Sequence, residues 1–194
     1  TLPKHRRRAI YAAYAFCRYC DDAVDEQSSM DLKLESVNLL REKLRLSYAG
    51  EAADPIFLCL GDVAKQFNIP QEYFEAVLMG VESDLVKKRY QNFEELKQYC
   101  YQVASVVGLI CIQIFGYRDA IAKTYAIDLG IAMQLTNILR DIQEDLLMDR
   151  IYLPQEELER FNYSEEDLKA GIVNNQFKDL MMFQATRART YFEN

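Results

Sequence analysis

The chain has 194 residues, half of them hydrophobic, with 7 glycines, 4 prolines and a formal net charge of −7. That length suits one domain with a sizeable core, and the composition reads as globular and mostly helical. The acidic balance argues against a nucleic-acid partner, which asks for a basic face, and a single histidine beside five scattered cysteines makes a zinc centre at Cys17-x-x-Cys20 a poor reading. The cysteines read instead as reduced core residues of an intracellular protein.

Pro3 opens a first helix that runs to about Glu26, led by Lys4, His5, Arg6, Arg7 and Arg8. This basic cluster reads as a solvated helix end; the alternative is attraction of an anionic substrate or lipid headgroups. The stretch AIYAAYAFCRYCDDAVDE that follows is apolar around most of its circumference, which asks for burial, yet it carries Asp21, Asp22 and Asp25. Asp21 and Asp25 are i,i+4 neighbours and Arg18 lies one turn earlier. Ser28 to Asp31 reads as a break with a cap, Leu32 to about Ala49 as a helix ended by Gly50, and Asp54-Pro55 as the cap and first residue of a helix to about Phe67.

Asn68 to Pro70 starts another helix, through about Tyr90, with Glu82 and Asp84 on it. Asn92 and Glu95 resemble a capping box opening a helix from Phe93 to about Phe115. Its apolar run Val103 to Ile112 is too short to span a bilayer, and Gly108 inside it marks a close approach by a neighbouring helix or a bound group. A long helix is expected from about Asp119 to Leu146, then a loop from Met148 to Pro154, a short helix capped by Ser164, and an amphipathic helix from Gln176 to Phe192. Alternating β-branched runs are absent, so the expectation is an all-α bundle.

The chemistry is concentrated in QLTNILRDIQEDLLMDRIYL, Gln134 to Leu153, where Asn137, Asp141 and Asp145 recur at i,i+4 with Arg140 and Glu144 beside them. A stripe of carboxylates on an otherwise apolar helix is costly without a positive partner. A hard divalent cation such as Mg²⁺, which takes oxygen ligands and shares them with substrate phosphates, answers that need; a solvated acidic face is the alternative. The aspartates of the first helix are a second copy of the pattern. Two such stripes facing across a bundle can hold metal ions and a diphosphate head, with an apolar, aromatic pocket beneath for a hydrocarbon tail. Arg18 and Arg140 lie within reach of the carboxylates and can clamp phosphate oxygens. A di-iron bundle would need Glu-x-x-His pairs, and a Walker or Rossmann site a glycine-rich loop; neither is present.

The blocks YAFCRYCDDAVDE and QLTNILRDIQEDLLMDRIYLPQEEL, with YCYQVASVVG (Tyr99 to Gly108) and FNYSEEDL (Phe161 to Leu168), resemble the motifs of the squalene/phytoene synthase family, in order and across most of the chain. In look they are nearest the bacterial phytoene synthases. The resemblance implies a single domain over 1–194, an isoprenoid-synthase-type helical bundle with a central active-site cavity, the family's domain being longer at both ends. It implies Mg²⁺-dependent head-to-head (1'-1) condensation of two allylic prenyl diphosphates through a cyclopropyl intermediate, Mn²⁺ being the alternative ion. Two geranylgeranyl diphosphates giving phytoene is the first reading. Two farnesyl diphosphates giving presqualene diphosphate, squalene or hydroxysqualene is the alternative, with NADPH used only for squalene. A non-catalytic helical scaffold is the reading from another class, and it would predict eroded carboxylates.

By resemblance, Asp21 and Asp25 bind metal at one diphosphate with Asp22 beside them, and Asn137, Asp141 and Asp145 serve the other metal group. Arg18, Arg140 and Arg150 contact diphosphate oxygens. Tyr99 and Tyr152 stand near the reacting carbons, Asp84 keeps an acidic position, and Val103, Val107, Gly108 and Gln134 shape the prenyl channel. The implied setting is a cytoplasmic monomer or homodimer, with peripheral contact at the inner membrane face where greasy substrate and product reside. One departure stands out: LLMD at 146–149 replaces a basic, glycine-containing turn, leaving Arg150 as the basic residue there.

Overall fold

The computed structural model describes residues 2–27 and 29–194, with Asp25 described in its backbone only. Helices α1 (Lys4–Asp25), α2 (Met30–Ala49), α3 (Pro55–Phe67) and α4 (Gln71–Val86) are followed by a rod of α5 (Phe93–Cys100), a π-helical segment (Tyr101–Ser105) and α6 (Val106–Phe115). Then come α7 (Ile121–Arg140), α8 (Ile142–Leu147), α9 (Gln155–Arg160), α10 (Glu165–Lys169) and α11 (Asn175–Glu193). Among the described residues there is no strand, only one parallel bridge between Arg89 and Ile151. The all-α expectation is met.

The termini follow the local chemistry. Ser29 Oγ accepts from Leu32 N and opens α2, within the break and cap expected over Ser28 to Asp31, of which Ser28 lies outside the described residues. Gly50 ends α2 at φ 77°, a left-handed conformation that costs glycine nothing. Asp54 Oδ1 accepts from Ile56 N at 2.9 Å with Pro55 as first helical residue. Ser164 and Asp167 form a reciprocal capping box. At α5 the expected box is altered: Asn92 accepts from Glu95 N, but the Glu95 carboxylate accepts from Gln91 N.

Three boundaries differ from expectation. The helix expected to reach Tyr90 stops at Val86, and residues 88–91 run extended beside 151–156, held by Ile151 N to Lys88 O at 3.0 Å and Gln155 N to Tyr90 O at 2.8 Å. The helix expected from Asp119 to Leu146 breaks at Asp141, whose φ of −100° and ψ of 14° leave helical space. The rod from Phe93 to Phe115 widens to a π-turn at Tyr101–Ser105. As one rod it is long and apolar enough, by length and composition, to cross a membrane. Its Tyr99, Ser105, Val106, Leu109 and Ile110 are nevertheless buried against α4, α6's neighbours and α7, the position of a core helix.

Two large clusters make the core. In one, Phe16 of α1 meets Phe57 of α3 and Phe74 of α4 edge to face at 6.0 and 5.0 Å. In the other, Tyr90, Tyr99 and Tyr152 stack beneath Leu135 and Ile138 of α7. The five cysteines are unpaired; Cys20 is buried with Cys17 packed beside it, and burial pushes Cys17 up to about 12, so packing accounts for the C-x-x-C. A buried carboxylate, Glu157 of α9, is bonded by Gln184 and Arg187 of α11. Close packing also explains two glycines. A Cβ on Gly108 would sit 3.0 Å from the Ala126 carbonyl of α7, and one on Gly130 would sit 2.4 Å from Ser105 Cα and 2.5 Å from its N. Backbone cannot yield as a side chain does, so Gly130→Ala is expected to cost about 3 kcal/mol, read as a lower urea midpoint at unchanged slope.

Candidate active site

The second acid motif, α4 and the loop after α8 converge. The Asp84 carboxylate, at the end of α4, accepts from Tyr152 OH at 2.9 Å and Tyr99 OH at 3.0 Å. With both phenol protons directed at Asp84, the 3.3 Å approach of the two hydroxyls is a packing distance. Arg150 donates from Nη2 to the Asp84 backbone oxygen at 2.9 Å. Burial raises the Asp84 carboxyl above the usual range, and the two tyrosines and Arg150 pull it back only in part. Burial, and then the Asp84 charge, push Tyr99 and Tyr152 well up, so both phenols stay protonated and donate.

Asp145 stands at the edge of this cluster, lining a narrow cleft with Arg150 and Tyr152. Burial first, then the Asp141 charge, raise it to about 6, and Arg150 opposes the shift. Asp141 itself is held by Arg140 through two bonds of 2.5 and 2.6 Å, which hold its carboxyl below the usual range. Asn137 and Gln134 are half-buried one turn earlier, Nδ2 to Oε1 at 3.5 Å. The break at Asp141 therefore corrects the sequence picture: the three motif residues lie along two helices, the long α7 and the short α8, joined at the middle one. The α-helical spacing survives the joint, because Asp141 N still bonds Asn137 O and Asp145 N bonds Asp141 O, each at 2.9 Å.

The first motif lies on the last turns of α1. Arg18 and Asp22 pair at 2.7 Å and Asp21 is exposed beside them. The Asp25 side chain, expected to join Asp21, lies outside the described residues. Val24, between these aspartates, packs in one cluster with Leu85, the neighbour of Asp84, so the acidic end of α1 is tied to the same end of α4. Val103 is half-buried against the tyrosine cluster, its Cγ1 2.7 Å from where a Cβ on Gly80 would lie. Val107 is half-buried against the first core cluster. Gly108, by contrast, turns its bare face to Ala126 of α7, which is helix packing.

Among the described residues no three metal-ligating side chains are already gathered. The donor set nonetheless fits a hard divalent ion. All its members are oxygens, Asp145 is raised first by burial and then by carboxylate neighbours whose charge a cation would offset, and Mg²⁺ is commonly held by one or two carboxylates with the remaining ligands from water and phosphate. Each stripe now has an arginine on its own carboxylate, Arg18 on Asp22 and Arg140 on Asp141, partners that an incoming diphosphate can draw away. Tyr14, 68% exposed, lies one turn before Arg18 on the same face of α1. A wider cleft of about 500 Å³ lies at the opposite end of α1, between Lys4, Arg7, Arg8, Tyr11 and Ile56; it contains none of the motif residues.

A bundle of this shape, with two acid-bearing helices joined through α4, defines a class that the comparisons identify. The profile of squalene/phytoene synthase matches residues 1–194, and the chain belongs to that family. It is 41% identical to a 15-cis-phytoene synthase of Synechocystis sp., over all of this chain and 61% of the relative, and 39% identical to phytoene synthase 1, chloroplastic, of Zea mays, over 99% and 48%. The chain thus spans less than two-thirds of these curated relatives. The solved squalene synthase HpnC of Alicyclobacillus acidocaldarius superposes with a TM-score of 0.93 at 31% identity, over 99% of this chain and 72% of that one. A dehydrosqualene synthase in complex with ligand gives 0.88 at 35%, over 99% and 67%.

Proposed function

We propose that the protein joins two allylic prenyl diphosphates head to head, 1' to 1, and that the pair is two geranylgeranyl diphosphates giving phytoene. The observation that carries this is the convergence of Asp141, Asp145, Arg150, Asp84, Tyr99 and Tyr152 at one end of α4, whose Leu85 packs against the acidic end of α1. The curated relatives named as phytoene synthases at 38–41% identity support the C20 substrate.

Asp21 and Asp25 on one side, and Asn137, Asp141 and Asp145 on the other, would hold Mg²⁺, with Mn²⁺ as a substitute. Bound there, the ions supply Lewis-acid withdrawal of charge from the leaving diphosphate. Arg18, Arg140 and Arg150 bind diphosphate oxygens by charge-assisted hydrogen bonds. Their turn toward substrate frees Asp22 and Asp141. The C1–O bond of one substrate then breaks with its electron pair leaving on diphosphate, and the C2–C3 double bond of the other attacks the allylic cation. Loss of a proton closes the cyclopropylcarbinyl diphosphate. A second ionisation, rearrangement and proton loss give the C40 hydrocarbon with a central conjugated triene, without a reductant. Tyr99 and Tyr152, fixed by Asp84 and unable to ionise, offer ring faces to cationic carbons without offering a nucleophilic phenolate. In this reading the enzyme is cytoplasmic and meets the inner membrane face peripherally, where lipid substrate and product partition.

The solved squalene and dehydrosqualene synthases at TM-scores of 0.93 and 0.88 favour a second reading, in which farnesyl diphosphate is the substrate. Incubation with Mg²⁺ and either diphosphate, with and without NADPH, followed by mass spectrometry, separates the two. A C40 hydrocarbon from geranylgeranyl diphosphate alone is expected. A C30 product or presqualene diphosphate would overturn the substrate, and no turnover of either would overturn the enzyme reading.

A further inference from the structure

Arg89 takes no part in the chemistry above, yet it is the most heavily bonded side chain beside the site. It lies in the extended segment after α4, at the bridge with Ile151, with its side chain 23% exposed. Nε donates to Glu165 Oε1 at 2.8 Å; Nη1 donates to the backbone oxygens of Lys88 at 2.9 Å and Asp149 at 2.6 Å; Nη2 donates to Asp149 Oδ1 at 2.9 Å. Lys88 Nζ lies 3.7 Å from the other Asp149 oxygen. The guanidinium thus grips both the main chain and the side chain of one residue.

That residue is in an unusual place. Asp149 follows α8 with φ 56°, its N donates to Leu146 O at 3.0 Å, and the next N, of Arg150, reaches back to Asp145 O at 2.9 Å. This is the Schellman ending of a helix, whose left-handed position glycine normally fills because a Cβ is penalised there. Aspartate tolerates the conformation better than most residues, and here its carboxylate is also paired. The turn's exit direction decides two site residues at once. Arg150 leaves it with Nη2 on the Asp84 carbonyl and beside Asp145, and Tyr152 follows two residues on, with its hydroxyl on Asp84.

We propose that Arg89 is a positioning residue. By forking onto the Asp149 carbonyl and carboxylate it holds this non-glycine turn in the left-handed state, and so aims Arg150 at the edge of Asp84 and Asp145 where a diphosphate binds. The aim of Arg150 rests on the diphosphate reading of the site; the hold on the turn does not. An exposed ion pair would carry little, but two of the four acceptors are main-chain oxygens that only a planar fork reaches together with a carboxylate.

Three variants of the purified protein test this: Arg89→Lys, Asp149→Gly, and both together. The probe is inorganic diphosphate with Mg²⁺, titrated by calorimetry, beside hydrogen exchange at the amides of residues 149–151 and a melting curve. Arg89→Lys keeps the charge and loses the fork; it is expected to weaken diphosphate binding by about tenfold and to speed exchange at 149–151. Asp149→Gly removes the strained residue, so binding is expected to hold, and the double variant is expected to bind better than Arg89→Lys alone. Equal losses in Asp149→Gly and Arg89→Lys would mean a mere ion pair and would overturn the proposal, as would parent-like binding and exchange in Arg89→Lys. A parent protein that binds no magnesium diphosphate overturns the site reading and the aiming of Arg150, while the exchange rates still decide the hold on the turn. Should Arg89→Lys fail to fold, Asp149→Gly decides: a tenfold loss there overturns the proposal.

Discussion

Asp145→Asn is expected to lower turnover by about a hundred- to a thousand-fold, while leaving the metal-free protein more stable than the parent. Both effects have one cause. The Asp145 carboxyl is raised to about 6 by burial and by the neighbouring Asp141, Asp84 and Glu144 charges. A charge crowded in this way is what a divalent ion and its diphosphate stabilise, and removing one such electrostatic contact costs about two to three orders of magnitude in rate at oxyanion sites of comparable design. Without the ion, the charge is a burden. The folded-state value lies above the ordinary aspartate value of 3.8, so the group's favourable contribution is complete below 3.8 and is lost as pH rises through about 6. Asparagine carries no such loss. The variant is therefore expected to melt about 2–4 °C above the parent near neutral pH, a gain of about 1 kcal/mol after allowance for water screening of this half-exposed group. The gap should close as the pH is lowered toward about 4. Mg²⁺ with diphosphate should raise the parent's melting temperature and leave the variant's unchanged. A variant that melts lower than the parent at neutral pH would remove the electrostatic argument.

Glu157→Ala should be the most destabilising single change among the charged residues. Glu157 is 4% exposed and Gln184 3%, and the glutamate's two oxygens are bonded by Gln184 Nε2 at 2.5 Å and by both terminal nitrogens of Arg187. The Arg187 guanidinium lies 3.8 Å from the Phe93 ring centroid and 4.7 Å from that of Phe183. Truncating the acid leaves a desolvated cation with nowhere to turn, a loss of about 3–5 kcal/mol, or about 10 °C in melting temperature at this chain length. Replacing both partners by apolar residues, Glu157→Leu with Arg187→Met, should recover most of it, because the penalty lies in the orphaned charge. A double variant no better than the single one would place the cost in shape rather than charge. The loss should reach the site as well, since α9 follows directly on Tyr152 to Pro154.

The sequence exposed the parts of the molecule that are written locally. Glycine after Ala49, Asp54-Pro55 and the Ser164–Asp167 box each act within one turn, and their helices begin or end where expected. The two acid motifs were visible because carboxylates on apolar helices are rare and i,i+4 spacing is regular. What stayed hidden depends on partners far along the chain. Glu157 sits in a run of acids, and nothing local marks it as the one facing Gln184 and Arg187. The helix α9 was overlooked for the same reason, its buried face being only Glu157 and Leu158. Asp141 looked like mid-helix because its neighbours keep the apolar period across the break. Arg89 has no motif at all; three of its four acceptors lie 60 or 76 residues away.

The π-turn at Tyr101–Ser105 has a consequence for how this rod can change length. Such a turn stores one residue more than an α-helix of the same rise, and the residues on either side are committed: Tyr99 and Cys100 before it, Val106 and Ile110 after it, all buried. Deleting a residue from the α-helical turns on either side, which hold no extra residue, would instead swing one half of the rod against the other by about 100°. Either Tyr99 would leave Asp84, or Val106 would leave the core around Phe16. Deletions are therefore barred from the α-helical turns of this rod and confined to the wide turn, which can lose its extra residue and rewind to α, and to the exposed end at Gly116–Ala120. Lineages that shorten this rod should carry their gaps there.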